Sequence, residues 1–150
     1  MSRLNLFFDS SALIAGIISS HGAARVLLLL AETGHITLTI SEQVVAEAER
    51  AVARKAASAL PDLRQAIQTT RAQIMRNPSP KEVMENLHLI AHPADVPILL
   101  AAMKARVDFL VTLNRRHFLD DPQVKQLSGL RIGTPGDALN WVRGQLSANR

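Results

Sequence analysis

Short apolar stretches alternate along the chain with segments of helical periodicity, and this alternation limits the possible folds more than any other feature. The predicted strands cover residues Leu4–Phe8, 36–40, 87–91, 109–112 and 130–132, of which 87–91 is the weakest. These stretches are continuously apolar, which indicates strands that are buried on both faces. The sequence therefore predicts a three-layer α/β/α sandwich with a central, mostly parallel sheet of about five short strands.

The segments between the predicted strands carry the apolar spacing of amphipathic helices. Predicted helices cover residues 12–18, 23–33, 42–55, 61–76, 96–107 and 136–146. Ser41 is expected to cap the third of them, and Gly34 to end the second. A chain of 150 residues with 47% hydrophobic residues can bury one sizeable core, so we expect a single domain over 1–150 with a disordered tail at 147–150.

The chain has no cysteine, which excludes disulfides and thiolate metal sites. Any metal would have to be held by oxygen or imidazole ligands. The N-terminal segment lacks the features of a secretory signal, and no apolar run is long enough to span a bilayer. We therefore expect a cytoplasmic protein that does not associate with a membrane.

The formal net charge is +4, and the positive charge is concentrated between residues 50 and 76. Only Asp62 carries a negative charge in that range, against six basic residues: Arg50, Arg54, Lys55, Arg64, Arg71 and Arg76. This balance favours a polyanionic partner, either a nucleic acid or an acidic protein. A solvated helix face explains the same residues equally well.

Three carboxylates occupy positions from which they can converge. Asp9 directly follows the first predicted strand, and in open parallel sheets the ligand site lies beyond the carboxyl ends of the strands. Asp95 begins a helix on its inward face. Glu47 flanks the apolar face of the helix that follows the second strand, and Glu49 borders the other side of the same face. Helical spacing alone does not choose between Glu47 and Glu49.

Each of these residues also has an ordinary structural explanation. Asp9 or Asp95 could be a helix N-cap, and Glu47 could pair with a neighbouring arginine on its helix. The fourth strand ends in Thr112 and Asn114, on the same sheet edge as Asp9, although asparagine is also common at the start of a turn.

Taken together, these groups predict a metal site. Three carboxylates, an amide and hydroxyls form an oxygen-rich set that suits Mg²⁺ or Mn²⁺. Buried carboxylates repel one another unless a cation neutralises them. A divalent ion at such a site can support in-line phosphodiester hydrolysis.

The order and spacing of these residues resemble the PIN-domain ribonucleases, in particular the toxins of bacterial and archaeal toxin–antitoxin pairs. The resemblance covers nearly the whole chain through the segments "FFDSSALIAG", "SEQVVAEAERAVARK", "HPADVPILLAAMKARVDFLVTLNRRHF" and "LRIGTPGDALNWV". It implies endonucleolytic cleavage of RNA, a homodimer, and inhibition by a cognate antitoxin that inserts a segment near the active site.

The resemblance also implies roles for individual residues. Asp9 and Asp95 would bind Mg²⁺ or Mn²⁺, Glu47 would complete the metal site directly or through water, and Asn114 would orient a water or a second ion. The same match implies that Ser10 and Thr112 provide polar support for the metal site. Arg115 and Arg116 are candidates to contact the phosphates of the RNA.

Some features depart from that family or favour another reading. Many members carry Asp where this chain has Asn114, so a PIN-like module that binds RNA or protein without turnover is the main alternative. A receiver domain or a haloacid-dehalogenase-like phosphatase is disfavoured, because Asp9 has no acidic neighbour and residue 11 is serine. The five histidines lack ligand spacing, and none is expected to bind metal.

Overall fold

A computed structural model describes residues 3–148 of the chain. Five parallel strands form one sheet in the order β3-β2-β1-β4-β5. The strands are β1 (Leu4–Phe8), β2 (Ile36–Ser41), β3 (Gln73–Met75), β4 (Phe109–Val111) and β5 (Ile132–Gly133). The predicted α/β architecture with a parallel sheet of five short strands is confirmed.

Helices surround this sheet. In the described part of the chain they are α1 (Ser10–Ile18), α2 (Ala23–Glu32), α3 (Glu42–Lys55), α4 (Leu60–Thr69), α5 (Pro80–Glu85), α6 (Val96–Lys104), α7 (Pro122–Ser128) and α8 (Pro135–Ala148). Ser41 caps α3 as expected, since its side chain accepts a hydrogen bond from the backbone N–H of Val44. Gly34 follows α2 with φ of 80°, the left-handed conformation that commonly ends a helix.

The order of the strands reverses beside β1. From β1 the chain moves outward to β2 and β3, and it then returns to the other side of β1 to form β4 and β5. Phe8 pairs with Val111 in adjacent strands, and the backbone N–H of Asp9 donates to the Val111 carbonyl at 3.1 Å. The carboxyl ends of β1 and β4 therefore meet at the switch point where open α/β sheets bind ligands.

Close packing between α1 and α2 supports this edge of the sheet. The last three residues of β1 and Leu13 of α1 are fully buried. A Cβ atom at Gly16 would lie 2.6 Å from Leu28 Cδ1, so α2 approaches α1 at a distance that leaves no room for a side chain. The helix that begins directly after Asp9 is thus held firmly against the core.

The strand predicted at residues 87–91 is wrong. Residues Leu87–Leu89 form a 3₁₀ turn, and Leu89 and Ile90 are buried without joining the sheet. The strand that the sequence did not predict is Gln73–Met75. It pairs with the outer edge of β2 and lies inside the helix predicted for 61–76. Because β3 is a short and largely exposed edge strand, it lacks the apolar run that predicts a buried one.

Other boundaries differ by smaller amounts. Helix α4 ends at Thr69, and Arg71 follows with a positive φ of 53°, a turn conformation that non-glycine residues seldom adopt. Helix α8 continues through Ala148, so only residues 149 and 150 of the predicted tail lie outside the described residues. None of the described helices is by itself long and apolar enough to cross a membrane; α1 and α2 meet that test only as a pair, bent by 89°.

Candidate active site

Asp9 is a buried carboxylate at the carboxyl end of β1, with an exposed fraction of 4%. Its Oδ1 accepts hydrogen bonds from the Ala12 backbone N–H at 2.9 Å and from the Ser11 hydroxyl at 2.7 Å. Its Oδ2 accepts one from the Thr112 hydroxyl at 2.5 Å. Burial raises the pKa of Asp9 even though these bonds oppose the shift, and the charge of Asp95 raises it further.

A hydroxyl network connects the ends of β1 and β4 around Asp9. The Thr112 hydroxyl accepts from the Asn114 backbone N–H at 2.9 Å while it donates to Asp9. The Ser11 hydroxyl likewise accepts from the Leu113 N–H at 3.0 Å. The supporting serine in contact with Asp9 is thus Ser11, whereas the sequence analysis named Ser10, the first residue of α1.

Asp95 lies in a 3₁₀ turn at the start of α6 and is held quite differently. It occupies the N-cap position, yet its side chain makes no capping hydrogen bond. The side chain is 13% exposed, and its buried Oδ2 has no hydrogen-bond partner other than the two imidazole rings beside it. His117 Nδ1 lies 2.8 Å and His92 Nδ1 3.3 Å from this oxygen. Capping therefore does not explain why this carboxylate is buried.

The two candidate glutamates of α3 face different neighbours. The Gln43 side-chain amide donates to Glu47 Oε2 at 3.2 Å and to the backbone carbonyl of Ala94, next to Asp95, at 2.9 Å. Glu49 is 3.9 Å from Arg64 of α4. The structure thus places Glu47, and not Glu49, on the side of α3 that faces the Asp95 turn.

Asn114 is used locally in the way that its turn-forming tendency predicts. Its Oδ1 accepts from the His117 backbone N–H at 3.1 Å and caps a π-helical turn over Arg115–Leu119. Single π turns occur frequently at functional sites. The side chains of Arg115 and Arg116 are exposed beside the same edge of the sheet.

The acidic residues fit a hard divalent cation. A carboxylate offers about four acceptor positions, and three of those on Asp9 are occupied, so one remains free. Asp95 Oδ2 is buried without a hydrogen bond. Glu47 supplies a third carboxylate, and an all-oxygen set of this kind suits Mg²⁺ or Mn²⁺. Among the described residues the ligand atoms of these three carboxylates do not all lie within 4.8 Å of one another, so a shared ion requires the side chains to move closer.

The basic residues between positions 50 and 76 are all exposed to solvent. Arg64 is close to Glu49, and Arg71 follows α4 in the turn before β3. Their arrangement is compatible with a solvated surface as well as with an anionic partner.

The chain belongs to the PIN-domain family, because the family model of the PIN domain matches residues 5–116. This confirms the resemblance drawn from the sequence. Two solved structures share the fold, each at 18% identity. PAE2754 from Pyrobaculum aerophilum superposes with a TM-score of 0.65. The superposition covers 94% of this chain and 96% of the PAE2754 chain.

The second similar structure is that of VapBC2 from Rickettsia felis bound to a DNA fragment from its promoter. It superposes with a TM-score of 0.59, and the superposition covers 87% of this chain and 98% of the matched chain in that structure. A comparison with curated proteins finds no match.

Proposed function

We propose that this protein is a divalent-metal-dependent endoribonuclease and the toxin of a toxin–antitoxin pair. The observation that carries the proposal is the pair formed by Asp9 and Asp95. One carboxylate is almost fully buried with a raised pKa, and the other presents a buried oxygen without a hydrogen bond. The charge of Asp95 raises the pKa of Asp9, and a cation bound to both carboxylates would remove that repulsion.

In this proposal Asp9 and Asp95 hold Mg²⁺ or Mn²⁺, and Glu47 completes the site directly or through water. A bound divalent ion would polarise the scissile phosphate and lower the pKa of a nearby water. Thr112 and Ser11 fix both oxygens of Asp9, so that its remaining acceptor position is already oriented. Asn114 caps the turn that carries Arg115 and Arg116, and these two side chains contact the phosphates of the RNA.

The proposed partners are a cognate antitoxin and a second copy of the chain. The solved structure of VapBC2 from Rickettsia felis, bound to a DNA fragment from its promoter, shares the fold of this chain. We propose that a segment of the antitoxin binds at the edge of the sheet near Asp9 and blocks the active site. The proposed location of both proteins is the cytoplasm. Copurification with the product of an adjacent small reading frame would test the partner, and light scattering would test the homodimer.

The central experiment is an RNA cleavage assay with purified protein, without antitoxin, in Mg²⁺ or Mn²⁺. Asp9→Asn and Asp95→Asn should each lower the cleavage rate by at least about 100-fold, since a bound metal contributes several kcal/mol to the transition state. Glu49→Gln is the matched control, because this carboxylate faces Arg64. The proposal fails if both aspartate variants cleave at the rate of the control.

A second candidate function is binding of RNA or protein without turnover. It is favoured by Asn114, whose amide oxygen is used to cap the following turn. A module of this kind would bind RNA with the same affinity in the wild type and in Asp9→Asn, and neither protein would cleave it with either metal.

A further inference from the structure

Two histidines and Asp95 form a compact cluster beside the acidic site. His92 and Asp95 belong to the turn before α6, and His117 lies in the π-helical turn after β4. One potential ligand atom from each residue lies within 4.8 Å of those of the other two. The two imidazole rings stack with their centroids 4.1 Å apart and their planes 15° from parallel. The cluster thus joins two separate segments through one carboxylate oxygen.

That oxygen is the unsatisfied atom of the site. Asp95 Oδ2 is buried, and His117 Nδ1 lies 2.8 Å from it and donates a hydrogen bond to it in the tautomer that carries the proton on Nδ1. Two ligands of a tetrahedral Zn²⁺ ion lie about 3.3 Å apart when each bond is about 2.0–2.1 Å. The separations of 2.8 Å and 3.3 Å from the two Nδ1 atoms are close to this value. Because an imidazole lone pair lies in the plane of its ring and the two rings stack nearly parallel, one ring must rotate out of the stack before both Nδ1 atoms can bind the same ion.

Asn114 orients the ring of His117. Because its Oδ1 accepts from the His117 backbone N–H, its amide NH₂ group faces His117 Nδ1 at 3.1 Å. In the tautomer that accepts this bond, Nδ1 carries no proton and presents a lone pair, which is the form that binds metal. Metal binding would exchange the amide contact for a bond to the ion.

The type of ligand selects the type of metal. Imidazole nitrogens suit Zn²⁺, Ni²⁺ and Cu²⁺, whereas Mg²⁺ prefers oxygen. Three protein ligands leave a further coordination position open. On one side His92, His117 and Arg116 border a cavity of about 240 Å³ that can admit water to that position.

We propose that His92, Asp95 and His117 form a binding site for a transition metal of the Zn²⁺ class. The site competes with the hard divalent cation of the acidic site for Asp95. An ion bound to the histidines would draw Asp95 away from Asp9 and Glu47, and it would thereby inhibit the enzyme. Metal binding itself is independent of any nuclease activity, whereas the inhibitory effect rests on the proposed function.

Binding is tested directly with Zn²⁺ by calorimetry and with Co²⁺ by visible absorption, which reports the coordination geometry. The wild type should bind one ion with nitrogen and oxygen ligands. His92→Ala should weaken this binding by at least about tenfold. His88→Ala is the matched control, because His88 is also exposed, lies four residues earlier and is outside the cluster. Equal affinity in His92→Ala and the wild type would overturn the proposed site.

A second measurement separates this site from the acidic one. Asp9→Asn should still bind Zn²⁺ with near wild-type affinity, since Asp9 is not a member of the histidine cluster. Addition of Zn²⁺ to the Mg²⁺-dependent cleavage assay should inhibit the wild type more strongly than His92→Ala, with each rate normalised to that of the same protein in Mg²⁺ alone. Equal inhibition of both proteins would overturn the competition.

The outcomes also distinguish this inference from the proposed function. If Zn²⁺ binds as expected but RNA stays intact in Mg²⁺, the metal site stands and the nuclease proposal fails. If RNA is cleaved but the histidine variants bind Zn²⁺ like the wild type, the nuclease proposal stands. In that case the cluster is no more than a pair of imidazole–carboxylate contacts.

Discussion

Asp9 and Asp95 have the same side chain at the same kind of position, the residue before a helix, but the protein treats them in opposite ways. Asp9 accepts three hydrogen bonds and caps α1. Asp95 makes no capping bond and leaves one buried oxygen without a hydrogen bond. The hydrogen bonds hold the Asp9 carboxylate in one orientation. The buried Oδ2 of Asp95 has no such hydrogen bonds to fix it and is therefore available to bind a ligand. The contrast suggests that neither residue serves the fold alone.

The strongest effect on activity after the two aspartates is expected at Glu47. Glu47→Gln should lower the cleavage rate by about 10- to 100-fold if Glu47 completes the metal site through water. Glu49→Gln should leave the cleavage rate almost unchanged, because Glu49 faces Arg64 and not Asp95. Loss of this exposed ion pair should also cost less than about 1 kcal/mol of stability. Equal rates for the two variants would remove Glu47 from the site.

The largest effect on stability is expected at Thr112, which fixes Asp9. Thr112→Val removes the donor to Asp9 Oδ2 and the acceptor of the Asn114 N–H, which should lower the free energy of unfolding by about 1–3 kcal/mol. Thr37→Val on β2, which β1 separates from β4, serves as the control. Chemical denaturation would measure both variants, and a loss of the same size at Thr37 would contradict the assigned role of the Thr112 hydroxyl.

A smaller effect is predicted for the charge of Asp9 in metal-free protein. Burial raises the pKa of Asp9 above its ordinary value of 3.8, so the folded state keeps a proton that the unfolded state releases. This residue therefore lowers stability as pH rises from about 3.8 through the pKa in the folded state. Asp9→Asn should accordingly lack this loss of stability as pH rises above about 3.8.

Asp137 provides a control of opposite sign for this pH dependence. Hydrogen bonds from the backbone N–H and hydroxyl of Thr134 lower the pKa of Asp137. Its contribution to stability is present above its ordinary pKa and is lost as pH falls through the lowered one. Asp137→Asn should therefore be less stable than the wild type near neutral pH. Matching pH profiles for the Asp9 and Asp137 variants would contradict the assignment.

The smallest effect is expected at the exposed arginines. Arg116→Ala should weaken RNA binding a few-fold and reduce the salt dependence of binding by about one phosphate contact. The exposed Arg54 of α3 is the matched control. Filter binding of RNA at several salt concentrations would compare the two, and identical salt slopes would show that Arg116 makes no phosphate contact.

The sequence predicted those parts of the fold in which burial leaves a pattern. Strands β1, β2 and β4 are buried, and their apolar runs located them almost to the residue. Strand β3 was missed because it is an exposed edge, and the buried pair Leu89 and Ile90 produced a false strand at 87–91. An apolar run indicates that a segment is buried, but buried segments can have an irregular backbone as well as a strand conformation.

The site was predictable to a similar degree. The position of Asp9 after β1 followed from the order of the elements, whereas the choice of Ser11 over Ser10 depends on how the first turn of α1 places each hydroxyl. The neighbourhood of His92 and His117 was invisible in the sequence, because it arises between residues 25 positions apart. The sequence analysis expected none of the five histidines to bind metal, and the contact between His92 and Asp95 is visible only in the structure.

The central claim, that Asp9 and Asp95 share a hard divalent cation, is tested most directly by thermal unfolding with and without Mg²⁺. At 100 times its Kd, Mg²⁺ should stabilise the wild type and Glu49→Gln by about 2.7 kcal/mol. Asp9→Asn and Asp95→Asn should gain almost nothing. An equal gain from Mg²⁺ in Asp9→Asn and the wild type would contradict the claim.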